Sequence, residues 1–142
     1  MPKKQKASGP VLLAVNICDQ VIRDETSKKI SLIGLFNQIH ATTFPARHPL
    51  LHVYVSLING HKEYEGELRF VNEKDNSIVF STKGKVPLQN PLQCAELNFA
   101  VKNLQFDTPG KYRVEFLCDG SPVGGREFIV SGPPPMSETK GG

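Results

Sequence analysis

The sequence contains no tryptophan, only three tyrosines and three cysteines, and no long apolar run. A membrane-spanning helix needs about 20 consecutive apolar residues. The longest run here, Val11-Leu12-Leu13-Ala14-Val15, stops at Asn16. Lysines precede that run, but a secretory leader needs roughly 7–15 apolar residues. Asn16 and Ile17 are also too large for the small residues expected before a lipidated cysteine at Cys18. The expectation is a cytoplasmic protein with reduced thiols and no membrane contact. Without tryptophan and with few aromatics to expose, a stacking platform for sugars or bases is unsupported. Nucleophile elbows, phosphate-cradling glycine loops and dinucleotide fingerprints are missing as well.

A concentrated basic face is also lacking. The net charge of +3 resides on the N-terminal segment, where Lys3, Lys4 and Lys6 stand without an acid. Between residues 11 and 132 there are 13 Lys/Arg against 13 Asp/Glu. A body so balanced does not grip a phosphate backbone, so no nucleic-acid partner is expected. Residues 1–10 read as a basic tail, 11–132 as one domain, and 133–142 as a Pro/Gly-rich tail; neither flexible tail can bury apolar surface of its own.

What the chain does have is alternation with the strand period of two. Leu51, Val53, Val55 and Leu57 oppose His52, Tyr54 and Ser56. Leu97, Phe99 and Val101 oppose Glu96, Asn98 and Lys102, and Tyr112, Val114, Phe116 and Cys118 oppose Lys111, Arg113 and Glu115. Val53, Val55, Leu97, Phe99, Val114 and Phe116 are the predicted core. Shorter alternations lie at Leu68 and Phe70, Ile78 and Phe80, and Phe128 and Val130. Residues 11–18 and 30–36 are denser apolar runs, as expected of strands covered on both sides. Asn59-Gly60, Asp75-Asn76 and Asp119-Gly120 tolerate the positive φ of tight turns between strands. Gly124-Gly125 reads as a bulge or turn. The prolines, Pro49 among them, are placed at the ends of runs, where no ladder N–H is lost. Residues 30–43 alone show a helical option, through Ile33, Phe36 and Ile39.

The count is eight strands, and the spacing of the turns predicts an all-β, antiparallel β-sandwich of immunoglobulin-like or C2-like type. A Pro109-Gly110 turn feeding Tyr112 supports a sandwich over a barrel. A tyrosine there bonds its hydroxyl back to the corner, predicted to lie at residues 103–106.

Side chains that could carry chemistry are scattered. Cys18, Cys94 and Cys118 share no metal-binding spacing and read as core or partly buried thiols, a Cys18–Cys118 bridge being the lesser option. His40, His48, His52 and His61 cluster in sequence. Pro49 forbids the helix that would align His48 with His52, and along a strand they lie about 13 Å apart, too far for one metal. Asp19, Asp24, Asp75, Asp107 and Asp119 sit on separate turns, unlike the concentrated set that calcium requires. No catalytic, metal or cofactor residue is assigned. Gly141-Gly142 resembles the end of a ubiquitin-like modifier, but that fold needs a long helix.

The residues Ile17-Cys18-Asp19-Gln20-Val21, Lys29-Ile30-Ser31-Leu32-Ile33-Gly34-Leu35-Phe36 and Phe44-Pro45, with Asn103-Leu104, Phe106 and Pro109-Gly110-Lys111-Tyr112, resemble an uncharacterised family of small bacterial proteins. The resemblance implies a bacterial origin and a compact β domain; it carries no activity. The functional expectation is a non-catalytic interaction or self-assembly module, partnered by a protein or by its own copies, with residues 11–15 and 128–130 as candidate contact strands. The rivals are a metal-dependent enzyme built on the histidine cluster and a Gly-Gly-terminated modifier.

Overall fold

Alternating strands have one apolar face each, and this chain buries those faces against one another in two sheets. The computed structural model describes residues 9–133. The lysine segment, most of the C-terminal tail and Gly141-Gly142 therefore lie outside the described residues. Nine strands form: β1 (Val11–Arg23), β2 (Ile30–Leu35), β3 (Gln38–His40), β4 (Ala46–Ile58), β5 (Lys62–Asn72), β6 (Ile78–Leu88), β7 (Ala95–Phe106), β8 (Gly110–Cys118) and β9 (Ser121–Ser131). There is no helix among the described residues, and so none long and apolar enough to cross a membrane. One sheet has the order β2-β1-β4-β7 and the other β3-β9-β8-β5-β6.

The all-β expectation holds, with two differences. Residues 30–43 are neither helix nor a single strand. Pairing with β1, from Arg23↔Ile30 to Cys18↔Leu35, overrides the short helical spacing and makes β2. The link after β2 then carries the chain into the other sheet, where β3 adds the ninth strand. It lies parallel to β9, so the sheets are mostly rather than wholly antiparallel.

The turns follow their residues. Asn59, Asn76 and Asp119 hold φ of 66°, 61° and 51°, and Gly120 follows Asp119 at 83°. Two successive positive φ values are what a tight hairpin between right-twisted strands requires. The ladder of β8 with β9 shifts between Phe116↔Gly124 and Leu117↔Pro122, which places the expected bulge beside Gly124. At φ 154° a Cβ on Gly124 would sit 2.5 Å from Leu12 Cδ2, so the bulge lets β1 approach β9.

The core is one cluster drawn from both sheets. Val53, Val55, Val114 and Phe116 are fully buried, as predicted. Leu97 and Phe99 are only partly buried against the core, because β7 is the last strand of its sheet. Phe99 still meets the Phe116 ring, at 6.0 Å between centroids. Inward residues of β7 run Val101, Leu104, Phe106, a step of three that breaks the period of two. Asn103, at φ 54°, absorbs the extra residue. The position opposite is Pro49, and neither takes part in the ladder between His48↔Leu104 and Leu50↔Lys102. Pro49 is thus inside β4 rather than at the end of a run, and it loses no ladder bond because its partner is turned away.

Tyr112 is buried, and its hydroxyl donates to the carbonyl of Thr108 at 2.6 Å. The acceptor is not within residues 103–106, as the sequence suggested. The Pro109-Gly110 turn is tight enough to bring Thr108 itself under the phenol.

Phe116→Ala should cost about 3–5 kcal/mol, the range for deleting a buried aromatic ring, and partly exposed Phe99→Ala clearly less. Tyr112→Phe should cost about 1 kcal/mol, one net hydrogen bond, without changing the fold. Urea unfolding of the three variants measures all of this.

Candidate functional site

The histidines that cluster in sequence separate in space. His52 projects from β4 onto the outer face of its sheet, with Nδ1 3.0 Å from Asn98 Oδ1. His61 lies in the turn after β4, where its backbone N–H donates to the Tyr64 hydroxyl at 3.1 Å. His40 and His48 converge instead. Both line a shallow cleft of about 310 Å³ with Asp19, Phe36, Gln38 and Ile39. His40 Nδ1 is 3.0 Å from Ser131 Oγ, and the His48 ring stands 5.8 Å from that of Phe36. Among the described residues, no three His, Cys, Asp or Glu side chains are placed to hold a metal ion.

The aspartates mostly do turn work. Asp24 accepts the backbone N–H groups of Thr26 and Ser27, and Asp75 that of Ser77. These bonds hold both carboxyls below the usual range, because a carboxylate accepting N–H bonds is favoured over its protonated form. Asp107 accepts from Gln105. Asp119 accepts from the Glu65 backbone and pairs with Lys62, which lowers its pKa further. Asp19 has no ion-pair partner among the described residues. Its carboxylate fills the space beside Gly34, where an added Cβ would meet Asp19 Oδ2 at 2.4 Å.

The three cysteines are free: Cys18 and Cys118 are buried, and Cys94 is exposed. Burial pushes the Cys118 thiol up to about 11 and raises Cys18 too. Neither is an activated nucleophile.

The outer faces of the two sheets differ sharply. Every ion pair among the described residues belongs to the five-stranded sheet and its turns. Arg69 links Glu67 on β5 to Glu115 on β8, and Arg113 bridges Glu115 to Glu73. The four-stranded sheet carries no such network. Its outward positions on β1 and β2 align as Cys18↔Leu35, Gln20↔Ile33 and Ile22↔Ser31, and Leu50 follows on β4 two residues from His52. Ile22, Ile33, Leu35 and Leu50 are 40%, 46%, 59% and 43% exposed. They make the outer face of this corner largely apolar, with Leu35 beside buried Cys18 and Gln20 and Ser31 among them.

The sheet edges differ in the same sense. An edge strand offers unpaired N–H and C=O groups, and proteins blunt such edges with charge, proline or brevity. β3 has three residues; β6 carries Lys83, Lys85 and Pro87; β7 carries Glu96 and Lys102. β2, Ile-Ser-Leu-Ile-Gly-Leu, has no charge at all. The sequence reading that this dense run is covered on both sides is therefore corrected: β2 is an edge, and its outward side chains face solvent. The expected contact strands fare differently. Where β1 runs beyond β2, Arg126 Nε donates to the Val15 carbonyl at 2.8 Å and the Phe36 N–H to that of Ile17 at 3.0 Å. The Val15 carbonyl is thus already occupied, and residues 128–130 lie between β8 and β3.

Alkylation by iodoacetamide at pH 8 should modify Cys94 alone in the folded protein. A thiol with a pKa near 11 is only about 0.1% thiolate at that pH, and burial excludes the reagent as well. Peptide mass spectrometry before and after urea unfolding reads the difference.

No curated protein sequence matches the chain. Among solved structures it is similar to Pseudomonas fluorescens alkylpurine DNA glycosylase AlkC bound to DNA containing an abasic site analog. The identity is 11% and the TM-score 0.42, over 82% of this chain and 30% of that one. The chain thus spans under a third of that enzyme, and the likeness is too slight to bear on function. Residues 13–131 match the family of unknown function DUF6941, and the chain belongs to that family.

Proposed function

We propose that the protein is a non-catalytic binding module, a cytoplasmic sandwich of immunoglobulin or C2 type that acts through the outer face and free edge of its four-stranded sheet at β2. The single observation that carries this reading is the division of the surface. The five-stranded sheet is laced with ion pairs, while exposed Ile22, Ile33, Leu35 and Leu50 gather on the other. Exposed ion pairs add little stability, so the network marks a face that meets water. An apolar patch beside an uncharged edge suits strand addition by another chain, in which main-chain bonds supply affinity and side-chain contacts supply selectivity.

The rival reading, a metal-dependent enzyme, draws on the cleft with Asp19, His40 and His48, but those groups are not placed to share an ion. A Gly-Gly modifier would need a long helix, and the described residues form none.

A photo-crosslinking residue at position 35 should yield protein adducts in the cells that make this chain. The same residue at position 83, on the β6 edge, should yield far fewer. Equal labelling at both positions, or none at 35, would sink the reading. Both positions are exposed, so neither substitution should disturb the fold.

A further inference from the structure

On one side of the molecule both sheets lose their outer strand at the same level. β2 pairs with β1 only as far as Cys18↔Leu35, and β3 meets β9 only from Ile129 onward. Residues 11–17 of β1 and 121–127 of β9 therefore have no strand beside them on that side. The link from β2 to β3 crosses between the sheets just there and is pinned to both. The Phe36 N–H donates to the Ile17 carbonyl, and the Asn37 carbonyl accepts the Ile129 N–H. What is left is a cleft of about 290 Å³, lined by Asn16 and Ile17 of β1, Leu35, Phe36 and Asn37 at the crossing, and Arg126 of β9.

Arg126 gives the cleft its chemistry. It shares the inward parity of β9 with Phe128 and Val130, which are buried in the core. At this end of the strand its side chain crosses from one sheet to the other, and Nε donates to the Val15 carbonyl at 2.8 Å. That bond fixes the guanidinium through its inner nitrogen and leaves both terminal nitrogens uncommitted, the fork that matches a carboxylate. Arg69 and Arg113 are engaged with glutamates. Arg23 and Arg47 have no acid either, but each spends a terminal nitrogen, on the Lys28 carbonyl and the Gln105 side chain. Arg126 alone among the described arginines combines a fixed guanidinium, a free fork and no acidic partner. Its neighbour Glu127 pairs with Lys111, and Asp19 lines the separate cleft with His40 and His48.

We propose that this cleft binds a small organic monocarboxylate with an apolar body. The cleft offers one cation and no anion. The side-chain amides of Asn16 and Asn37 have no hydrogen-bond partner among the described residues and are free to complete the shell of a bound carboxylate. Leu35 and Phe36 form the apolar wall for the rest of the molecule. The volume stands at the lower end of the range for ligand pockets, roughly 300–1,000 Å³, which suits one small molecule. The inference does not rest on what covers the β2 edge.

Titration of the full-length chain with 3-phenylpropionate at pH 7, followed by backbone amide NMR, tests this. Saturable shifts are expected at residues 15–17, 35–37 and 126. The amide 3-phenylpropionamide has the same body without the charge and should bind at least tenfold more weakly. Acetate and inorganic phosphate have no apolar body and should also bind more weakly. Arg126→Gln should abolish binding, and Arg126→Lys should weaken it about tenfold, since an ammonium is a point charge in place of a fork. Arg126 also ties β9 to β1, so its variants are checked by their melting curves. Asn16→Asp leaves Arg126 in place and sets a carboxylate where the charge of the ligand belongs. That variant should abolish binding without lowering the melting temperature.

The proposal is overturned if 3-phenylpropionate produces no saturable shifts, or if the shifts centre on His40 and His48. It is also overturned if the amide or acetate binds as tightly as the acid, or if binding survives Asn16→Asp or a folded Arg126→Gln.

Discussion

The structure turns on a group of rings that fastens the two sheets together. Phe106, from β7, meets Tyr112 of β8 at 4.9 Å and Phe128 of β9 at 5.9 Å, and Phe70 of β5 closes on Phe128 at 5.9 Å. Most of these contacts are edge-to-face, the arrangement that aromatic quadrupoles favour. Phe106 belongs to one sheet and the others to its partner, so the cluster is a bond between layers rather than within one. It works only because Asn103 breaks the alternation of β7. With a strict period of two continuing from Val101, positions 103 and 105 would face inward and Phe106 would face water. The left-handed turn at Asn103, with Pro49 opposite, brings Phe106 into the core.

Once each sheet is bound through one face, its other face must come to terms with solvent. The five-stranded sheet does so with charges on alternate positions, cross-linked between β5 and β8 by Arg69 and Arg113. The four-stranded sheet uses polar groups toward β7, where Tyr54 donates to Glu96 and His52 meets Asn98. That Tyr54 hydroxyl, partly desolvated and bound to a carboxylate, is pushed up to about 12 and stays a neutral donor at any ordinary pH. Toward β2 the outward groups are mostly apolar, with Gln20 and Ser31 between them. The change occurs within a single sheet, so it is a local property of one corner and not of the architecture.

Much of this was legible in the sequence. Val53, Val55, Val114 and Phe116 announced their burial because a strand lets only every second residue reach the core. Asp119-Gly120 announced its turn because few other pairs adopt two positive φ values cheaply. The acceptor of the Tyr112 hydroxyl was misplaced by a few residues, since the pitch of a Pro-Gly turn is not written in the residue types. The patch could not be read at all. Whether Ile33 lies over a second layer or over water depends on which strands end up at the edge of the sheet. That order is set by long-range pairing, and a dense apolar run looks alike in both places. Convergence of His40 and His48 with Asp19 was likewise hidden, because it depends on the crossing of β2 into β3 between the sheets.

The hydrophobicity of β2 then calls for a physical account that the monomer does not provide. Burying an aliphatic side chain fully is worth about 1.5–3 kcal/mol, but Ile33 and Leu35 collect only part of this, being about half exposed. Threonine in their place would hold the strand conformation equally well and would remove the hazard that a bare apolar edge presents. The fold by itself therefore gains little from these side chains and carries their liability. The other edges of the same molecule are guarded by Lys83, Lys85, Pro87, Glu96 and Lys102, so the means of protection were at hand and were left out at one place. On the proposed reading of this face, an edge left bare where its neighbours are guarded is one that another chain would cover, and burial there would supply the stabilisation that the isolated domain forgoes.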